Sequence, residues 1–285
     1  MTGIARVGVV GCGLMGSGIA EVCARAGLDV VVAEANDDLL ASGRRRIRAS
    51  LDRAAASGKL EPADAEAALG RIRTTTDLSD LADRELVVEA ISEDEGAKVR
   101  LFGSLDAVAP PSAILASNTS SIPIARLGAA TSRPGAVVGL HFFNPVPVMR
   151  LVELVPSIRT EPETVETCRH FVTSALGKET IVAPDRAGFV VNALLVPYLL
   201  AAVRMLEAGA ASAEAIDAGM VLGCAHPMGP LALCDFIGLD TVKAIADSLY
   251  AELKDPALAP PPLLLRMVEA GLLGRKSGRG FRTYD

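Results

Sequence analysis

The feature that most narrows what this chain can fold into is the run Gly11-Cys12-Gly13-Leu14-Met15-Gly16, which follows an apolar stretch at 4–10 and opens a helical stretch at 15–26. Glycines spaced G-x-G-x-x-G between a strand and a helix each have a steric task. Gly11 permits a tight turn, Gly13 lets the backbone approach a pyrophosphate, and Gly16 allows the helix to pack closely on the strand, with phosphates facing the helix N-terminus. Alone, the motif also suits a plain glycine-rich turn. Glu34 narrows the reading: it ends the second apolar run, 18 residues beyond Gly16, where an acid accepts hydrogen bonds from the adenine ribose hydroxyls. A carboxylate there also repels the extra phosphate of NADP. The expected cofactor is therefore NAD, held by Gly11, Cys12, Gly13, Leu14, Met15, Gly16 and Glu34. Arg44, Arg45 and Arg46, further along, read as a solvated helix face with no part in cofactor binding.

The following sequence repeats this alternation. Short runs rich in aliphatic residues at 4–10, 29–33, 86–89, 113–116 and 136–140 alternate with helical periodicity at 15–26, 37–56 and 95–108. That pattern predicts an α/β domain of Rossmann type, a doubly wound parallel sheet wrapped by helices. After Pro184 no further strand is expected, and helices are predicted at 190–207, 212–222, 230–253 and 262–270. The chain thus divides into an NAD-binding domain at 1–186 and an all-α substrate and dimerisation domain at 187–285. Four prolines at 255–262 mark an ordered or extended connector.

Half of the 285 residues are hydrophobic and 22% are charged, with a net charge of -6. The first figure supplies material for two cores, and the last argues against a nucleic-acid partner, which needs clustered Lys and Arg. The apolar run at 189–203 is shorter than the roughly 20 residues a bilayer span requires and contains Asn192 and Pro197. It reads as a buried helix, not a membrane anchor. Because it is apolar on nearly every face it must be surrounded, which predicts a homodimer with Leu200 in an apolar contact. The start of the chain lacks signal-peptide character, and the five cysteines form no C-x-x-C pair. The expectation is a cytoplasmic protein with reduced thiols and no metal.

Of the three histidines, His141 has the best surroundings for acid/base chemistry. It follows a strand, and strand ends are where open α/β sheets place their ligands. In Leu151-Val152-Glu153-Leu154-Val155, alternation puts Glu153 on one face with Leu151 and Val155. A carboxylate on an apolar strand needs a partner, and His141 is the candidate. Such a pair fixes the imidazole tautomer and raises its basicity.

The motifs SNTSS at 117–121, HFFNPVPVM at 141–149, LVELV at 151–155, GFVVN at 188–192, LVPYL at 195–199, HPMGP at 226–230 and GRKSGRGF at 274–281 carry a resemblance. Nearly end to end, the chain resembles the 3-hydroxyacyl-CoA dehydrogenase family, and within it the stand-alone enzymes acting on 3-hydroxybutyryl-CoA. The resemblance implies NAD-dependent hydride transfer on a short (S)-3-hydroxyacyl-CoA. It makes His141 the general base, Glu153 its orienting acid, Ser120 a neighbour of substrate oxygen and nicotinamide, and Asn192 a polar substrate contact. It also puts Glu93, Lys98, Asn144 and Lys276 along the NAD site and implies pairing through the second domain. For coenzyme A, Ser50 matches a family contact, whereas Lys59 lies near a second one with altered spacing and Ser57 holds the counted position. Plainer roles stay open: a helix cap for Ser120, a structural amide for Asn192, a surface charge for Lys276. Two other functions suit the same residues: oxidation of a free sugar acid in the manner of L-gulonate 3-dehydrogenase, or a non-catalytic, crystallin-like role.

Overall fold

The structure, a computed structural model, describes residues 3–284. These form two compact units, the first ending at Asp185 and the second beginning at Arg186.

The first unit runs β1 (Arg6–Val10), α1 (Leu14–Arg25), β2 (Asp29–Ala33), α2 (Asp37–Ala56), α3 (Pro62–Gly70), β3 (Ile72–Thr75), β4 (Leu86–Glu89), α4 (Glu95–Val108), β5 (Ile114–Ser117), α5 (Ile124–Ala129), β6 (Val137–Phe142), β7 (Leu151–Pro156), α6 (Pro162–His170) and β8 (Glu179–Val182). The strands make one sheet in the order β3-β2-β1-β4-β5-β6-β7-β8. Through β6 every pairing is parallel, in the strand order of a dinucleotide-binding domain. The central strands are covered on both faces, which is why they read as continuous aliphatic runs: Val7, Val9, Val30, Val31, Leu86, Val87, Leu115 and Val138 are all fully buried.

The parallel pattern stops at β7, which pairs antiparallel with β6. A parallel return requires a crossover of about a dozen residues or more. The connection at 143–150 is shorter and holds no helix, so the chain turns back beside the strand it has just left. β8 then lies parallel to β7.

Helix boundaries follow local chemistry. Asn36 caps α2 by accepting the Leu39 N–H at 3.0 Å, with Asp37 and Asp38 in the first turn. Asp94 caps α4 in the same way through the Ala97 N–H. The sequence pattern misses the two edge strands, β3 and β8, and the short helices α3, α5 and α6. β3 reads Ile-Arg-Thr-Thr and β8 Glu-Thr-Ile-Val, too polar for an apolar-run criterion because an edge strand needs less burial.

The second unit contains α7 (Val191–Glu207), α8 (Ala213–Cys224), α9 (Pro230–Ile237), α10 (Leu239–Leu253) and α11 (Pro262–Glu269). The single helix expected at 230–253 is in fact two. Gly238, at φ 101°, ends α9 and begins α10. The core joins Val196, Leu199, Leu200 and Val203 of α7 to Leu231, Val242, Leu249 and Leu264. Leu200, expected at a contact between copies, is therefore inside its own unit. The other side of α7 exposes Leu194 at 74%, and α8 exposes Leu222 at 85%. Among the described residues no helix is long and apolar enough to cross a membrane.

Candidate active site

The glycine turn links β1 to α1. Gly11 sits at φ 95°, a conformation L side chains rarely adopt, and a Cβ there would lie 2.6 Å from the Ala90 carbonyl oxygen. At Gly16 a Cβ would come within 1.9 Å of the Gly11 carbonyl oxygen. At Gly13 it would meet no protein atom within 4 Å, so protein packing leaves that side of the loop open. No side chain caps the start of α1, and Leu14 is exposed. Glu34, just past β2, accepts the Cys12 N–H through Oε1 at 2.7 Å and the Ala35 N–H through Oε2 at 2.9 Å. Burial, followed by the charge of Glu34, raises the Cys12 thiol to about 11, so it stays protonated.

Arg44, Arg45 and Arg46 are all exposed, as a solvated face should be, and the Arg46 guanidinium also donates to the Cys12 carbonyl oxygen at 3.1 Å. The Cys12 peptide is thus gripped from both sides, by Glu34 at its N–H and Arg46 at its C=O. α2 approaches so closely here that a Cβ at Gly43 would fall 2.1 Å from the Cys12 sulfur.

At the ends of β4 and β5 lies an ionic network, buried at Glu89 and Lys98 and exposed at Glu93. Lys98, on α4, reaches Glu89 Oε1 at 3.0 Å and Glu93 Oε2 at 2.7 Å. Glu93 Oε1 accepts from the Ser120 N–H at 3.0 Å and from the Thr119 and Ser121 hydroxyls. Burial alone would raise the Glu93 carboxyl, but the Lys98 ammonium and these donors outweigh it and hold the group below its ordinary value. Glu89 Oε2 accepts the Ser117 hydroxyl at 2.5 Å, and the Ser117 oxygen accepts the Thr119 N–H at 3.1 Å. The loop bearing Ser120 is consequently held by two carboxylates bridged by one lysine.

The β6–β7 register sets His141 directly across from Glu153. His141 Nδ1 lies 2.6 Å from Glu153 Oε2, and both residues are buried. Asn118, in the Ser120 loop, accepts the Phe142 N–H at 2.9 Å and so ties that loop to the strand carrying His141. After β6, Asn144 is exposed and its peptide to Pro145 is cis. Lys178 secures this turn by donating to the carbonyls of Val146 at 2.7 Å and Met149 at 2.6 Å.

The first unit therefore brings together the glycine loop with Glu34, Glu93 and Lys98 with Ser120, and His141 with Glu153. In the second unit, Asn192 is half-buried at the second residue of α7, and Lys276 pairs with Asp240 at 2.5 Å. The residues expected to meet coenzyme A lie apart from these clusters. Ser50 is half-buried on α2, and Lys59 is exposed beyond the end of α2. Glu89, Asn118, Lys178 and Arg46 were not singled out by the sequence. Glu89 carried a readable signal, an acid closing the apolar strand Leu-Val-Val-Glu, the same signal that marked Glu153.

The profile of the 3-hydroxyacyl-CoA dehydrogenase NAD binding domain matches residues 6–186, and that of the family's C-terminal domain matches 188–284. The chain belongs to the 3-hydroxyacyl-CoA dehydrogenase family. It is 57% identical over 282 residues to a 3-hydroxybutyryl-CoA dehydrogenase of Mycobacterium tuberculosis, covering 99% of each chain. The crystal structure of FadB2 from M. tuberculosis superposes with a TM-score of 0.98 at 57% identity, over 99% of this chain and all of that one. The (S)-3-hydroxybutyryl-CoA dehydrogenase PaaH1 of Ralstonia eutropha does so at 0.94 and 45% identity, over 99% of each.

The cofactor of this family of dehydrogenases is NAD, and the first unit fits it. The loop is open at Gly13, the start of α1 has no side-chain cap, and Glu34 stands just past β2. Gly16→Ala should remove most NADH affinity, because the added Cβ displaces the Gly11 carbonyl and with it the whole turn. Fluorescence titration with NADH measures this, and wild-type affinity in the variant would show that the loop geometry is not what holds the dinucleotide.

Proposed function

We propose that this enzyme oxidises (S)-3-hydroxybutyryl-CoA and other short (S)-3-hydroxyacyl-CoA thioesters to 3-ketoacyl-CoA, and catalyses the reverse reduction. The observation that carries the reading is the 2.6 Å contact of His141 Nδ1 with Glu153 Oε2. With Nδ1 committed to the carboxylate, Nε2 is the nitrogen that takes the proton of the substrate hydroxyl. Glu153 orients the ring and offsets the positive charge it acquires. When bound, NAD accepts the C3 hydride at its nicotinamide C4. The C–H electron pair leaves with the hydride, the O–H electron pair becomes the second bond of the ketone, and the proton stays on His141. In reduction His141 returns that proton.

Ser120 and Asn192 are read as polar contacts to the oxygen that becomes the ketone. Ser120 is suited to this by Glu93, which accepts its N–H at 3.0 Å and fixes its backbone. Glu93, Lys98, Asn144 and Lys276 are read as lining the NAD site, and Glu34 as favouring NAD over NADP by repelling the 2'-phosphate. Ser50 and Lys59 remain the coenzyme A contacts that the family resemblance implies. Four of the five cysteines are buried, in keeping with reduced thiols and a cytoplasmic enzyme. A second copy is read as covering the exposed apolar residues of α7 and α8, Leu194 and Leu222 among them.

His141→Gln should lower turnover of acetoacetyl-CoA by about 100-fold or more while NADH binding stays intact, since positioned proton transfer contributes about 100- to 10,000-fold. Steady-state kinetics should give NADH far higher efficiency than NADPH, and (S)-3-hydroxybutyryl-CoA far higher than free 3-hydroxy acids. Near-wild-type turnover in the variant eliminates His141 as the base, and a preference for free acids replaces the thioester with a sugar-acid type of substrate. Light scattering should give twice the 29.5 kDa chain mass, falling to the single-chain value in Leu222→Glu, whose side chain lies outside the core of its own unit. A wild-type monomer would contradict the pairing.

A further inference from the structure

Glu89 belongs to none of the roles given above, yet its side chain is completely buried. Its contacts explain its charge. Oε1 accepts the Ile91 N–H at 2.7 Å and faces the Lys98 ammonium at 3.0 Å, and Oε2 accepts the Ser117 hydroxyl at 2.5 Å. The Ser117 oxygen is already an acceptor for the Thr119 N–H, so its own proton points to Glu89. Every one of these partners donates to Glu89, a set that suits a carboxylate.

Lys98 is shared. Its ammonium touches Glu89 and Glu93, so the cluster holds two carboxylates and one cation, an excess of one negative charge. Burying the Glu89 carboxylate beside a cation that it shares with the more exposed Glu93 is costly, and that cost has a use if a positive charge docks beside it. Oxidised nicotinamide is such a charge, and the reduced ring is neutral.

From this geometry we infer that the Glu89–Lys98–Glu93 cluster is an electrostatic positioning element that favours NAD+ over NADH at the nicotinamide end of the site. The inference rests on the reading that NAD binds with its nicotinamide beside Ser120. Glu89 acts through its charge and need not touch the cofactor. Its field falls off slowly in the protein interior, where a unit charge still matters several ångströms away.

The test is the ratio of dissociation constants for NAD+ and NADH, from NADH fluorescence titration and its displacement by NAD+. Glu89→Gln makes the cluster neutral, so NAD+ should weaken more than NADH and the ratio should rise by about three- to tenfold. Glu93→Gln removes the same charge from the cluster's more exposed member and should move the ratio the same way, which keeps the test alive if the fully buried variant does not fold. Ser117→Ala breaks the hydrogen bond to Glu89 without changing charge and should leave the ratio as in wild type. An unchanged ratio in the folded glutamine variants overturns the inference, as does an equal shift in Ser117→Ala, which would trace the effect to loop geometry. If wild type binds neither NAD+ nor NADH, the reading of the site falls and the inference with it.

Discussion

The geometry proposed for catalysis depends on one reversal of chain direction. Five parallel pairings bring the strands as far as β6, and a parallel seventh strand would have needed a crossover to bring it back. The short turn at 143–150 instead lays β7 antiparallel, and the resulting register puts Glu153 opposite His141. Side chains directly opposite on one face of an antiparallel pair lie close enough to interact. Here they do so at 2.6 Å, in a buried setting. Lys178 belongs to the same device, since by holding the Val146 and Met149 carbonyls it fixes the turn that fixes the register. Burial lowers the Lys178 ammonium from its ordinary value, so this anchor carries a desolvation cost that its two carbonyl partners offset.

A second constraint ties the elements together. The Ser120 loop is joined to β6 by Asn118 and to β4 and α4 by Glu89, Glu93 and Lys98. Its position is over-determined by charge-assisted hydrogen bonds, which are shorter and stronger than neutral ones. The glycine turn is handled likewise, with Glu34 and Arg46 at opposite ends of the Cys12 peptide. In both places side chains from distant strands and helices fix a backbone segment that would otherwise be mobile, which is how a loop acquires the precision that hydride transfer demands.

Much of this was legible beforehand, for identifiable reasons. The buried strands could be read because both faces are covered, leaving uninterrupted aliphatic runs, and the glycine turn because its sterics admit few substitutes. His141 and Glu153 could be paired because a carboxylate on an apolar strand must find a partner. What stayed hidden depends on tertiary contact. Edge strands β3 and β8 carry no apolar signature, and the break at Gly238 hides inside a continuous apolar pattern. The contact of Arg46 was missed because nothing in its neighbours reveals that α2 passes over Cys12. Leu200 and Leu194 lie on one apolar helix, and only the packing of the second unit tells which faces inward. Glu89 is the instructive omission, since the argument that found Glu153 applied to it unchanged.

The His141–Glu153 pair is the centre of the account, and the pH dependence of kcat/KM in wild type and Glu153→Gln tests it most directly. A neutral amide can still orient the imidazole but cannot offset the positive charge it gains. The account predicts a lower rate in the variant and a rate-versus-pH profile that differs from wild type. A folded variant whose rate and profile coincide with wild type would contradict it.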